Sequence, residues 1–203
     1  MTSKRRYTMT ARAEAAEGTR RRILQAAFDL QSRRLASEIV LDAVAEEAGV
    51  SVQTVLRHFG SRSGLFDAAV AFANDLVSEE RGAPVGDVPE AVRRLVDHYE
   101  VRGDMALMIV AQESTYPHVR AISEAGKATH RAWVSTVFAP SLQRLNGGAR
   151  DEAVDLLVIA TDVHAWKLLR RDRGLSRAQA QQRILALVRA VLAAIPPPDR
   201  KDG

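Results

Sequence analysis

Val44-Ala45-Glu46-Glu47-Ala48-Gly49-Val50-Ser51-Val52-Gln53-Thr54-Val55-Leu56-Arg57-His58-Phe59 is the stretch whose reading decides the fold. With Leu41 before it, Leu41, Val44, Ala45 and Ala48 fall on one face of a short helix. Gly49 interrupts the pattern, and Val52, Val55, Leu56 and Phe59 start a second stripe that Ser51 is placed to cap. Glycine suits the turn because a left-handed backbone costs it little. Ala45 and Ala48 keep the first helix thin where the second crosses it, and Val50 and Val55 fill the small core between them. A plain helical hairpin with a polar face needs neither small residues, nor glycine, nor a second cap in this order. The pattern is that of a helix-turn-helix, whose second helix enters the DNA major groove. Its exposed positions are Ser51, Val52, Gln53, Thr54, Arg57 and His58. Gln53 can pair with adenine, Arg57 can reach guanine or phosphate, and Ser51 and Thr54 suit phosphate oxygens.

Upstream, Ile23, Ala26, Ala27 and Leu30 predict a helix that Thr19 can start. Residues 1–18 lack apolar periodicity and are expected to form a basic flexible arm, with Lys4, Arg5, Arg6 and Arg12 leading to Arg20, Arg21 and Arg22. Directly before a reader, such an arm can reach phosphates or a minor groove. Downstream, Leu65, Ala69, Phe72, Ala73 and Leu76 predict a fourth helix opened by Ser61 or Ser63, and residues 81–87 read as a loop. The body is helical throughout. Pro89 sits in the first turn of a helix to about residue 101, and Asp104 caps another over 105–114. A short helix or turn is expected at 117–125 and a longer helix at 126–145, kinked or broken at Pro140. Further helices are expected at 149–172 and 176–195, ended by Pro196-Pro197-Pro198.

The predicted class is all-α: a three-helix helix-turn-helix head and a helical-bundle body of about six helices. The expected division is an arm at 1–18, a DNA-binding domain at 19–65, a sensing and dimerisation domain at 66–196, and a disordered tail at 197–203.

Composition agrees. Of 203 residues, 46% are apolar but only 5% aromatic, which favours helices over sheets. Cysteine is absent, which excludes disulfides and thiolate metal sites. No apolar run reaches the ~20 residues of a membrane span, and no signal-type segment follows the N-terminus. A soluble, cytoplasmic protein with no membrane partner is expected. His98, His118, His130 and His164 show no metal-like spacing with carboxylates, so neither metal nor cofactor is expected.

The run Ala45-Glu46-Glu47-Ala48-Gly49-Val50-Ser51, with Thr54 and Arg57-His58-Phe59, resembles the signature of the tetracycline-repressor (TetR) family. So do residues 19–30 as a first helix and Ser61-Arg62-Ser63-Gly64-Leu65 opening the fourth. A looser likeness covers 162–172 with Gly174-Leu175-Ser176. The resemblance implies a homodimer on a palindromic operator in double-stranded DNA, and a body that holds a small organic effector and weakens DNA binding when occupied. Carried over by position, Thr54, His58 and Arg62 would touch phosphates, and Ser51, Val52 and Gln53 would face bases. Repression is the family's usual outcome; activation stays open. This chain departs from the pattern at Leu56, where an aromatic is usual, at Gln53, where a small residue is common, and at Ile39 and Val40, where Thr or Ser begins the second helix. Ser37 is a substitute cap.

Two helices near the C-terminus are apolar almost all round, at 153–160 and 184–195, and a single body is too small to surround both. A four-helix interface with a second chain resolves this. Tyr99, Met105, Met108, Gln112, Tyr116, Trp133, Phe138, His164 and Trp166 are the candidates for an effector pocket, each also explicable as core packing. No nucleophile-and-base set or phosphate loop marks an enzyme. The competing reading is an interaction or architectural protein whose helix-turn-helix no longer binds DNA.

Overall fold

The computed structural model describes residues 3–31, 34 and 39–195. Ser37 and the tail at 197–203 lie outside them. Among the described residues there are helices and turns but no strand, as the composition predicts. The helices are α1 (Ser3–Gln31), α2 (Leu41–Ala48), α3 (Val52–Phe59), α4 (Arg62–Glu80), α5 (Val88–Gln112), α6 (Pro117–Val137), α7 (Ala139–Leu142), α8 (Gly147–Thr161), α9 (Val163–Lys167) and α10 (Arg177–Ala194), with a π-helical turn at Leu168–Asp172. The chain forms two compact units that divide between Ala73 and Asn74.

The head has its own core. Ile23, Ala27 and Leu30 of α1, Val44 of α2, Val55 of α3 and Leu65 of α4 are each no more than 1% exposed. α1 extends much further back than its apolar stripe. Residues 3–18, expected to form an arm without regular structure, are helical. Thr19 is therefore inside the helix, where its hydroxyl donates to the Ala15 carbonyl at 2.9 Å. The physical reason is propensity. The segment is rich in Ala, Arg and Glu with no proline, which favours helix without burial; residues 13–18 are all exposed.

The body core joins α5, α6, α8 and α10 around Leu95, Val134, Leu157, Trp166 and Ile184. Several boundaries differ from those predicted. α5 runs unbroken through Gly103 and Asp104, because the side chain of Asp104 pairs with Arg171 instead of capping a helix. α6 begins at Pro117 and passes through Gly126, which is exposed with open space around it. Of the kink or break expected at Pro140, the structure has the break. The chain ends α6 at Val137 and restarts at Ala139, so the proline sits in a first turn where no N–H is needed. The predicted 149–172 helix is three pieces, interrupted where Asp162 takes an extended backbone and caps α9. Ser176 caps α10 with Gln179 in a reciprocal capping box.

α8 and α10 bury one face in this core and leave large apolar side chains on another. Leu156, Ile159 and Leu187 are 44%, 66% and 49% exposed. Among the described residues no helix is long and apolar enough to cross a membrane.

Candidate nucleic-acid interface

α2 ends on Gly49 at φ 65°, ψ 39°, and the Gly49 amide returns to the Glu46 carbonyl at 3.1 Å. Val50 then bonds back to Ala45, which closes the turn before Ser51. Ser51 adopts an extended backbone and its hydroxyl accepts from the Thr54 amide at 3.2 Å. That contact starts α3 where the sequence places it. Ser51 Oγ and Thr54 Oγ1 also lie 3.0 Å apart. The two hydroxyls therefore form one polar group beside the first-turn amides of α3, a combination that suits a phosphate oxygen.

Val55 is fully buried and fixes which face of α3 points inward. The opposite face carries Ser51, Gln53, Leu56 and Arg57, all exposed, with Val52, Thr54 and His58 half-buried at its margins. Among the described residues neither Gln53 nor Arg57 has an intramolecular hydrogen bond or ion pair. His58 leans on Phe59, ring centroids 6.2 Å apart. Arg20 of α1 stacks over the Phe59 ring at 5.2 Å, so one cation of the basic run is anchored beside the end of α3. Arg62 is engaged differently from the other candidates. Its Nη2 donates to the Ile39 carbonyl at 3.3 Å, and its guanidinium lies over Phe66 at 5.2 Å. Arg62 thus ties the start of α4 to the residue preceding α2, with donors left over. Leu56 is 37% exposed, an apolar tip amid polar neighbours.

The nine pocket candidates do not form one group. Tyr99, Trp133, Phe138 and Trp166 come together: Tyr99 lies 6.0 Å from Trp166 and Trp133 lies 6.0 Å from Phe138. Met105 is buried near the middle of α5. Met108, Gln112 and Tyr116 follow towards the start of α6, with Gln112 Nε2 donating to the Met108 carbonyl at 3.0 Å. His164 is exposed and bonded to Asp162 at 2.7 Å, so it faces away from the core.

A buried polar cluster sits among these aromatics that sequence spacing did not reveal. Arg81, His98, His130 and Thr161 are all buried. Arg81 Nη1 donates to His130 Nδ1 at 3.1 Å. An arginine can only donate, so the imidazole proton is on Nε2. Nε2 then faces Thr161 Oγ1 at 3.1 Å, whose hydroxyl donates to Leu157 O at 2.6 Å. Burial, assisted by the Arg81 charge, pushes His130 down to about 4. Tyr99 donates to the Thr161 carbonyl at 3.0 Å, and burial pushes its phenol up to about 12. Beside this group, His98 Nδ1 meets Glu80 at 2.6 Å and Arg102 forks onto the same carboxylate. Burial holds His98 down to about 4, so the His98–Glu80 contact at neutral pH is a hydrogen bond and not an ion pair. For Glu80, burial opposes ionisation, but the bonds from His98 and Arg102 prevail and hold it at about 2.

Comparison with known proteins bears on both units. Residues 23–69 match the family model described as bacterial regulatory proteins, tetR family. No curated protein matches the chain. Among solved structures, a TetR-family transcriptional regulator from Streptomyces coelicolor is 23% identical, with 90% of this chain and 91% of that one covered and a TM-score of 0.61. A transcriptional regulator from Rhodococcus sp. Rha1 is 20% identical, covering 88% and 99%, at TM-score 0.64. A third, from Saccharomonospora viridis and solved in complex with choline, is 21% identical, covering 85% and 96%, at TM-score 0.59. Residues 23–69 therefore match the model of the tetR family of bacterial regulatory proteins, and the chain as a whole shares the fold of these solved regulators.

Proposed function

We propose that the protein is a sequence-specific DNA-binding transcriptional regulator, a dimeric repressor released from a palindromic operator by a small organic effector. The observation that carries the DNA-binding reading is the outer face of α3. Gln53 and Arg57 stand exposed and unengaged beside the Ser51–Thr54 hydroxyls, on a helix fixed in orientation by buried Val55. In this reading Ser51, Val52 and Gln53 face bases, Thr54 and His58 meet phosphates, and Arg57 reaches guanine or phosphate. The spare donors of Arg62 reach a phosphate while Nη2 keeps its bond to Ile39. Residues 19–65 are the reader, and 66–196 sense and dimerise.

The apolar patch of Leu156, Ile159 and Leu187 supports a homodimer built on α8 and α10. The body's buried polar cluster among aromatics supports a ligand site, and choline in a protein of the same fold supports its being small and organic. Effector binding would favour a body conformation in which the two reading helices no longer match half-sites about one DNA turn apart.

Selection of bound fragments from random DNA tests this. Recovery of one palindromic sequence, with affinity falling steeply as salt rises, is expected. Arg57→Ala should cost about 1–3 kcal/mol on the selected site. No preference over random competitor would return the chain to the reading as an interaction protein.

A further inference from the structure

We propose that the body binds a small organic carboxylate with an apolar remainder, its carboxylate seated on Arg81. This rests on the reading of the body as an effector-binding unit and specifies the class of ligand.

Several arginines of the body are matched with acids, while others, such as Arg144, Arg173, Arg183 and Arg189, are exposed to water. Arg93 pairs with Glu90 and Asp97, Arg131 with Asp155, and Arg171 with Asp104. The half-buried Arg102 and Arg170 hold Glu80 and Glu100. Arg81 differs from these in being buried, at 7% exposure. Among the described residues no carboxylate lies within ion-pair distance of it. The adjacent Glu80 is already held by His98 and Arg102. Arg81 has instead a neutral imidazole on Nη1 and the Tyr99 ring at 5.0 Å. Its Nε is buried and has no hydrogen-bond partner. An unpaired buried cation with an idle donor is a costly arrangement, and a carboxylate is the group that relieves it. The guanidinium fork matches two carboxylate oxygens in one plane.

The surroundings specify the remainder of the ligand. Tyr99 gives its hydroxyl to Thr161, and Trp133 gives its indole N–H to the Arg81 carbonyl at 3.1 Å. Phe138 stands edge-on to Trp133. The polar handles of these aromatics are therefore occupied, and they offer a ligand only their apolar faces. Trp133 is half-buried beside Arg81, with its indole N–H on the Arg81 carbonyl. One anionic head on an apolar body fits this pattern. A cation meets like charge at Arg81, and a polyol finds no free partners beyond it.

Calorimetric titration of the full chain with phenylacetate and octanoate, against phenylacetamide, tests the proposal. At least one acid should bind saturably, and the amide should bind at least tenfold more weakly. Arg81→Met, with its helical circular dichroism unchanged, should lose at least tenfold in affinity for that acid, and Arg81→Lys should fall between. The proposal is overturned if neither acid binds, if phenylacetate and its amide bind equally, or if folded Arg81→Met binds as the natural chain does. If Arg81→Met does not fold, the comparison of acid with amide on the natural chain decides. The broader reading fails separately. An acid that binds through Arg81 yet leaves DNA affinity unchanged defeats release by effector and leaves this site standing. DNA recognition with no acid binding does the reverse.

Discussion

Gly64 offers a sharp test of how rigidly the reader is built. It lies in the first turn of α4, where its amide is held by the Ser61 hydroxyl at 3.0 Å. A Cβ added there would sit 2.2 Å from the carbonyl oxygen of Phe59, the last residue of α3. The obstacle is backbone, so relief requires the end of α3 and the start of α4 to separate by about 1 Å, since Cβ–oxygen contacts settle above ~3 Å. Overpacking of this kind costs about 1–3 kcal/mol, and weakening the Ser61 cap adds up to about 1 kcal/mol. Against this, alanine gains at most about 1 kcal/mol over glycine in a helix. The clash wins, and Gly64→Ala should lose about 1–2 kcal/mol. Gly126 is the control: it lies within α6 with nothing within 4 Å of the added methyl, so Gly126→Ala should gain about 0.5–1 kcal/mol. Urea unfolding followed by circular dichroism measures both. If Gly64→Ala proves as stable as the natural chain while Gly126→Ala gains, the α3–α4 junction relaxes freely, and the rigid-reader argument is wrong.

Stability of the body should fall with acid. The folded values of His98 and His130 are held at about 4, below the ordinary 6.5, so the unfolded chain binds more protons between those limits. Stability is thus full above pH 6.5 and declines towards pH 4, by about 1.4 kcal/mol per pH unit for each histidine. Calorimetric melting across that window checks it, and His98→Gln should halve the slope; a flat profile would contradict the burial of both rings. Glu80, held at about 2, adds loss in the same direction below pH 4.5. Ile159→Glu should convert a dimer to monomer in sedimentation, since a carboxylate in an apolar interface costs about 3 kcal/mol or more, over a hundredfold in affinity. An unchanged sedimentation coefficient would put the dimer interface elsewhere.

The reader was legible because its determinants are local. Gly49, Ser51 and Val55 lie within seven residues, and each has one physical job that its side chain announces. The cap at Ser61 and the stop at Val137 before Pro140 follow similar short-range rules. Residues 3–18 escaped because periodicity detects a helix through its buried face, and residues 13–18 are helical while fully on the surface. Asp104 misled for a related reason. A capping residue seen in sequence can equally be a salt-bridge partner, and Arg171 is 67 residues away. The buried cluster was hidden most thoroughly. Arg81, His130 and Thr161 come from the turn after α4, the second half of α6 and the end of α8, so no spacing along the chain relates them. The aromatics around them, Tyr99, Trp133 and Phe138, were found because large apolar side chains are conspicuous singly. His164 was grouped with them by residue type, yet it points to solvent.

The placement of the two indoles has a spectroscopic consequence. Trp133 and Trp166 are the only tryptophans of the chain, and both belong to the body. Emission excited through indole alone therefore reports one unit and is silent on the other, so the head can melt or engage DNA without itself contributing to the signal. Trp133 also lies flat against His130, centroids 5.7 Å apart and planes 15° from parallel. A charged imidazole quenches a stacked indole far more than a neutral one does. The same ring pair is thus a built-in optical gauge of the proton on His130: bright while burial and the Arg81 charge keep the ring neutral, and dimmed once acid overrides them.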